Sequence, residues 1–308
     1  MLIADQTRLR PTNPQDAAVH FFHVLKTGGT SLSNVLEARF PQSEVCPARL
    51  LSQLVQLPPH SLGRYKLFTG HFGHNLKCFV NRPMRHITLV RDPVAHVISI
   101  YHHFRRDPSH PLYEKIQRQE MSLAQFVRDE DAMPFVHNSQ LFHLGFWHRV
   151  WDPQKMLLAM EAGPAAALEV RKAQDAQFRT ALSSRLLEDV LADLNRFTFV
   201  GITDQMEASG QLLAHTFGWR DFGPIPFLNA SKDVSGRHAI SPNTLSDIRN
   251  LTRWDAELYS YAQDRFAWRT RQMLNDLDEQ HSYRIDSAHH QVSRRGISGG
   301  VTIREPGR

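Results

Sequence analysis

The sequence predicts an α/β fold, a three-layer sandwich built on a central parallel sheet with helical additions. Three observations predict it. Four short β-prone runs are each stopped by a turn containing Gly or Pro. Apolar residues at helical spacing follow three of these turns directly, the strand-then-helix order of a parallel sheet. Finally, the 308 residues are 41% hydrophobic and 22% charged, with 16 Gly and 17 Pro, an ordinary globular composition that excludes collagen-like, mucin-like and wholly disordered chains. The length supports a substantial core without staples.

Taken in order, residues 1–17 are polar with two prolines and read as a flexible lead-in to a single domain over 18–282. Val19 to Leu25 is the first strand run. Lys26-Thr27-Gly28-Gly29 breaks it, and Leu32, Val35, Leu36 and Phe40 then mark one face of a helix. The second run, Lys66 to Thr69, stops at Gly70-His71. The third, Ile87 to Val90, ends at Arg91-Asp92-Pro93, where Asp92 suits an N-cap and Pro93 the first helical position. Val94, Val97, Ile98 and Tyr101 continue that helix. A long helical insertion follows over about 105–195, with a capping box at Ser122 and Gln125, an interruption at Gly163-Pro164 and an apolar stripe at Leu187, Val190, Leu191 and Leu194. Core packing explains these stripes. The fourth run, Phe197 to Val200, enters Gly201, and a helix carrying Met206, Leu213 and Phe217 ends at Gly218. Gly223-Pro224-Ile225-Pro226 is a loop, and Ser241-Pro242 opens a final helix with Leu245, Ile248, Leu251 and Leu258 inward. From 283 to 308 the absence of periodicity predicts a loose basic tail. No internal repeat is present.

In parallel sheets, ligands sit outside the carboxyl ends of the strands. Lys26, His71 and Arg91 each lie just beyond a strand run, so parallel strands would bring all three to one edge. The Lys26-Thr27-Gly28-Gly29-Thr30-Ser31 loop joins a strand to a helix start, where glycines let the backbone approach an anion and free N–H groups point at it. Lys26 adds a point charge, and Thr30 and Ser31 add hydroxyls. The order differs from a Walker A loop, whose Lys follows its glycines. An ordinary Gly-rich turn explains this loop equally well by itself. Arg91, with Ser99 eight residues on, offers a guanidinium fork and a hydroxyl suited to a phosphate monoester. Alone, a capping ion pair and a solvated serine explain those residues better.

Together the two elements are similar to a known family. Phe21 through Leu32 (FFHVLKTGGTSL) resembles the 5′-phosphosulfate loop of sulfotransferases, and Ile87 through Ser99 resembles their 3′-phosphate strand-helix element. The nearest likeness is to the carbohydrate type that includes heparan sulfate 2-O- and 6-O-sulfotransferases and bacterial relatives. Val200-Gly201-Ile202-Thr203, Asn229-Ala230-Ser231 and the Asn138-Ser139-Gln140 step resemble weaker blocks of the family. The likeness spans about 19–104 well and 197–232 loosely. It implies a P-loop NTPase-like sulfotransferase fold and the donor 3′-phosphoadenosine 5′-phosphosulfate (PAPS), bound by Lys26, Thr27, Gly28, Gly29, Thr30, Ser31, Arg91 and Ser99. It further implies in-line sulfuryl transfer to an acceptor hydroxyl, on a carbohydrate or glycoconjugate. Lys26 then meets the leaving phosphate oxygen. Gly70-His71 is similar to the Gly-His of the 2-O-sulfotransferases, which makes His71 the general base, with His23 and His74 in reserve.

The net charge of +5 favours an anionic ligand and is too diffuse to argue for nucleic acid. The 18 histidines raise a metal reading, but no HExxH or Cys pair appears, and His20 and His23 are three apart on a strand run and so face opposite ways. No metal is expected. Arg105 and Arg106 read as a solvated helix end. Two cysteines cannot frame a disulfide scaffold, no apolar run reaches the roughly 18 residues of a membrane helix, and the start lacks a signal-peptide pattern, so a cytoplasmic setting is expected. Two rival readings remain in view: a nucleotide-dependent kinase on a related fold, and a noncatalytic nucleotide- or glycan-binding protein. Sulfate transfer from labelled donor, against phosphate transfer from ATP, separates the kinase, and turnover settles the noncatalytic reading.

Overall fold

The computed structural model describes residues 17–80, 82–145, 158, 162–219 and 240–297. Four strands form its sheet: β1 (Ala18–Phe22), β2 (Leu67–Gly70), β3 (Met84–Val90) and β4 (Phe199–Ile202). Their order is β2-β1-β3-β4 and every pairing is parallel. Both faces of such a sheet are covered, so its strands need apolar residues throughout. Phe21, Leu67, Ile87, Leu89 and Ile202 are accordingly all fully buried. The first run is shorter than its sequence suggests: His23, Val24 and Leu25 leave the sheet and enter the loop. The fourth lies two residues later than Phe197–Val200, a shift of one pleat repeat that keeps the same side chains facing inward.

Helices α1 (Gly29–Glu37) and α2 (Leu51–Leu54) lie between β1 and β2, and α3 (Pro93–Phe104) follows β3. Asp92 caps α3, its Oδ1 accepting from the Ala95 N–H at 2.8 Å, with Pro93 in the first turn. The insertion comprises α4 (Tyr113–Arg118), α5 (Leu123–Phe126), α6 (Met133–Val136), α7 (Ser139–Leu144), α8 (Pro164–Ala181) and α9 (Ser184–Arg196). The Ser122–Gln125 capping box and the Gly163-Pro164 boundary are where the sequence puts them. Leu187, Val190 and Leu194 of α9 join the main core, whereas Val97, Ile100 and Phe104 of α3 form a second cluster with Phe126 and Ile248. After β4, α10 (Met206–Phe217) ends at Gly218 in the left-handed conformation, φ 66°.

The C-terminal part departs from the sequence reading in two ways. The expected single helix is two, α11 (Pro242–Leu251) and α12 (Arg253–Ile297), separated at Thr252. The helix also continues through Ile297, past residue 283, where a loose tail was expected. From Arg253 to Arg295 the chain holds no Gly or Pro, and helical dihedrals need no apolar stripe to persist. The 223–226 loop and Asn229-Ala230-Ser231 lie outside the described residues, as do residues 1–16 and 298–308.

The strand order has a direct bearing on the site. From β1 the chain moves out to β2 on one side, and from β3 to β4 on the other. The carboxyl ends of β1 and β3 therefore flank the point where the order reverses, where α/β sheets leave a crevice.

Candidate active site

The loop after β1 is folded by its own side chains. Thr27 is fully buried and its Oγ1 donates to the Val24 carbonyl at 2.9 Å. The Thr203 hydroxyl, just past β4, donates to the Thr27 carbonyl at 2.6 Å. Lys26 and Gly28 take positive φ, 62° and 84°. A Cβ on Gly28 would stand 2.5 Å from the Met206 methyl, and one on Gly29 would stand 1.9 Å from His23 Nε2. Both glycines are thus required by close approach. The α1 helix begins with no side-chain cap on its first-turn amides. Ser31 is buried and Thr30 exposed at that turn. The Lys26 amine has no partner among the described residues, and burial, then Arg106 and Arg91, holds its pKa below the ordinary lysine value.

Arg91 closes the crevice from the β3 side. Its Nη1 donates to the Lys26 carbonyl at 3.1 Å, and its Nε is buried without a partner among the described residues. Burial lowers its pKa, while Asp204 and Asp92 counter that. Asp204 accepts from the Asp92 N–H at 2.8 Å and from the Tyr259 hydroxyl at 3.0 Å. Ser99 is half-buried on α3, and no contact ties it to Lys26 or Arg91. Arg105 lies over the Tyr101 ring at 5.3 Å. Arg106 is exposed, and its charge acts on Lys26.

His71, after β2, hydrogen-bonds through Nδ1 to the His23 carbonyl at 3.0 Å. A carbonyl only accepts, so Nδ1 carries the proton and Nε2 keeps its lone pair. The ring stacks on His23 with centroids 4.2 Å apart, and His23 stacks in turn on Phe21 at 5.2 Å. Burial lowers the pKa of both histidines, partly offset in His71 by its bond to the carbonyl. His74 is turned elsewhere, its Nε2 donating to the Leu144 carbonyl at 3.2 Å. His96 lies beneath the loop, fully buried; its Nε2 donates to the Leu25 carbonyl at 2.7 Å, and burial brings its pKa to about 4. His20 pairs with His86 of the neighbouring strand, Nδ1 to Nδ1 at 3.1 Å. Among the described residues no group of three or more His, Cys, Asp or Glu is placed to hold a metal ion.

Behind Arg91 sits a knot between α7 and α12. The Gln140 side chain accepts from the Arg91 N–H and donates to the Arg91 carbonyl, both at 2.9 Å, as a neighbouring strand would. The buried Asp255 carboxyl accepts from the amides of Gln140 at 3.1 Å and Leu141 at 2.8 Å. Asn138, at φ 42°, returns the arrangement: its Oδ1 accepts from the amides of Trp254 at 2.9 Å and Asp255 at 3.2 Å. Each segment caps the start of the other's helix. Sequence reading noticed the Asn138–Gln140 step but not Asp255, whose one local signal is an acid in the first turn of a helix. His96, Arg49 and Asp204 were also missed. Arg49 pairs with Glu37 at 2.8 Å and gives its carbonyl to the His71 amide at 2.8 Å.

The expected residues thus fall into a joined group and an outlier. Lys26 and Arg91 are in contact, and His71 joins the same edge through His23 of the loop. Ser99 is not in contact with them. No described helix is long and apolar enough to cross a membrane. No protein-family model matches the chain. It is similar to heparan-sulfate 6-O-sulfotransferase 2 of Danio rerio, 36% identical over 84 residues, which are 27% of this chain and 18% of that relative. The chain covers less than a fifth of that relative's length. The fold, a central four-strand parallel sheet with many helices, is compatible with a sulfotransferase-like architecture, and the partial match points to a sulfotransferase relation.

Proposed function

We propose that the chain is a sulfotransferase that moves a sulfuryl group from PAPS to an acceptor hydroxyl, on a carbohydrate or glycoconjugate. The observation that carries this reading is the Lys26 amine, without a partner among the described residues, held beside Arg91 at the reversal of strand order. Two cations pressed together in a partly buried crevice, with uncapped helix amides alongside, are stabilised by an anion with two charged ends. The orphaned Nε of Arg91 fits a phosphate on the β3 side, and the Lys26 loop fits the phosphosulfate end.

When bound, the nucleotide supplies an activated sulfuryl group on a phosphate leaving group. Lys26 then places positive charge where negative charge grows on the leaving oxygen. His71 is neutral at pH 7, because burial lowers its pKa, and its Nδ1–H is committed to the His23 carbonyl. Its Nε2 lone pair is the atom that takes the acceptor hydroxyl's proton. The stack on His23, itself wedged against Gly29, keeps the ring from rotating. Ser99 enters only as a side chain that completes a phosphate shell once ligand is present.

The test is selectivity for the 3′-phosphate. Adenosine 3′,5′-bisphosphate should raise the melting temperature, and AMP should raise it far less. In Arg91→Ala the bisphosphate should lose roughly 10- to 150-fold in affinity, the loss of one charge-assisted contact, and approach AMP. Equal binding of AMP and bisphosphate by the wild type would sink the reading.

A further inference from the structure

A cavity lies apart from the strand-end cluster. It has a volume of about 320 Å³ and is lined by His137, Asn138, Leu182, Arg249, Asn250, Arg253 and Trp254. None of Lys26, Arg91 or His71 lines it. Its chemistry is one-sided. Arg249 and Asn250 have no hydrogen bond or ion pair among the described residues, and Arg253 has only its place over the Trp254 ring, 4.9 Å from the centroid. Asn138 is 1% exposed; its Oδ1 is taken by two backbone amides, which leaves its Nδ2 a donor without an acceptor among the described residues. No carboxylate lines the wall. Behind His137, Asp175 lies 3.5 Å from Nδ1 and is already paired with Arg179 at 2.6 Å.

Several guanidinium groups elsewhere on this protein are paired with carboxylates, as in Arg118–Glu114, Arg128–Asp247 and Arg196–Asp193. Here two converge on one hollow with nothing opposite them. A guanidinium fork matches the two oxygens of a carboxylate, phosphate or sulfate. The Trp254 face and Leu182 offer an apolar wall, and the amides of Asn138 and Asn250 offer hydrogen bonds that bare hydrocarbon could not use. A volume near 320 Å³ is at the small end for ligand pockets, the size for one ring rather than a chain.

We propose that this cavity binds a single polar ring, such as a sugar, that carries a carboxylate, phosphate or sulfate group. The site is independent of the sulfotransferase reading, because none of its residues takes part in that chemistry. Its lining residue Asn138 directly precedes α7, which carries Gln140, so an occupant rests beside the segment that clamps Arg91.

The test uses the full chain at constant ionic strength, with binding measured by calorimetry. Glucuronate, glucose 6-phosphate and glucose 6-sulfate are the probes, and glucose and inorganic sulfate are the controls. At least one anionic sugar should bind tenfold or more tightly than either control, and which one does so identifies the anion. Arg249→Ala and Arg253→Ala, both at exposed positions, should each weaken that binding about tenfold without moving the melting temperature. Lys26→Ala should leave it unchanged. The proposal is overturned if the anionic sugars bind no better than glucose, if inorganic sulfate binds as tightly as they do, or if the double arginine variant keeps full affinity. It is equally overturned if Lys26→Ala abolishes the binding, since the anion then belongs to the strand-end loop.

Discussion

The strand-end cluster and the α7–α12 knot are neighbours that share Arg91, yet they treat polar groups in opposite ways. In the knot the backbone amides at both helix starts find side-chain acceptors: Asp255 takes two, Asn138 takes two, and Gln140 satisfies both backbone groups of Arg91. In the cluster the amine of Lys26 and the Nε of Arg91 are left without partners among the described residues, while His71 has one nitrogen committed and one open. Buried polar groups without partners cost stability, so a fold keeps them where a ligand completes them. Paired backbone marks the frame, and unpaired cations mark the site.

His71→Ala sharpens this contrast most. It should slow transfer by ~10²–10⁴ while leaving bisphosphate affinity nearly unchanged, since the open nitrogen serves the reaction rather than nucleotide binding. Near-normal turnover in the purified variant would move the base to His23, which lies in the Lys26 loop.

Much of the cluster was legible because each of its parts is local. Lys26, His71 and Arg91 each directly follow a short apolar run that a Gly or Pro turn stops, so their common edge follows once the strands are parallel. The knot was not legible. Gln140 meets Arg91 across 49 positions and Asp255 across 115, and nothing in either neighbourhood encodes the other. The role of His23 was half visible: the sequence put it in reserve as a base, whereas its ring braces His71 and its carbonyl fixes the tautomer. The reach of α12 was hidden because continuity of a helix depends on what the sequence lacks.

A second measurement probes His96, which lies beneath the Lys26 loop and donates to the Leu25 carbonyl. Its folded pKa of about 4 lies below its ordinary 6.5, so between those values the unfolded chain binds more protons. Its share of stability is therefore complete above about pH 6.5 and is lost as the pH falls towards 4, by about 3 kcal/mol. Asp255 runs the other way, with burial raising its carboxyl from 3.8 to about 7, so its share declines as the pH rises through that window. Urea unfolding at pH 7 and 4.5 should show a shallower acid loss in His96→Gln than in the wild type. Identical pH dependence in the two would remove His96 from the account.

Asp255→Asn tests the frame. An amide offers one acceptor where the carboxylate offers two, so one of the Gln140 and Leu141 amides loses its partner. The cost should be roughly 1–3 kcal/mol in unfolding free energy at pH 7, the range for one unsatisfied buried group. An unaltered or higher stability would mean that the carboxyl burdens the fold instead of tying it. Gln140→Ala has the smallest expected effect, a loss of up to about tenfold in bisphosphate affinity with AMP binding unmoved, because Arg91 keeps its side chain but not its backbone clamp. Equal losses for both nucleotides would show that Gln140 supports the whole crevice and not Arg91 alone.

The hydrogen bond from Thr203 to the carbonyl of Thr27 spans 176 positions, and β3 meets β4 only after more than a hundred intervening residues. Contacts this remote are slow to form, because the loop entropy is lost before any contact repays it. During synthesis from the amino terminus, a nascent chain carrying Lys26, His71 and Arg91 has all the chemistry of the cluster and none of its closure until residue 203 has emerged. The crevice therefore matures late, and an arrested or truncated chain ending before β4 should expose the uncovered edge of β3 to any passing strand.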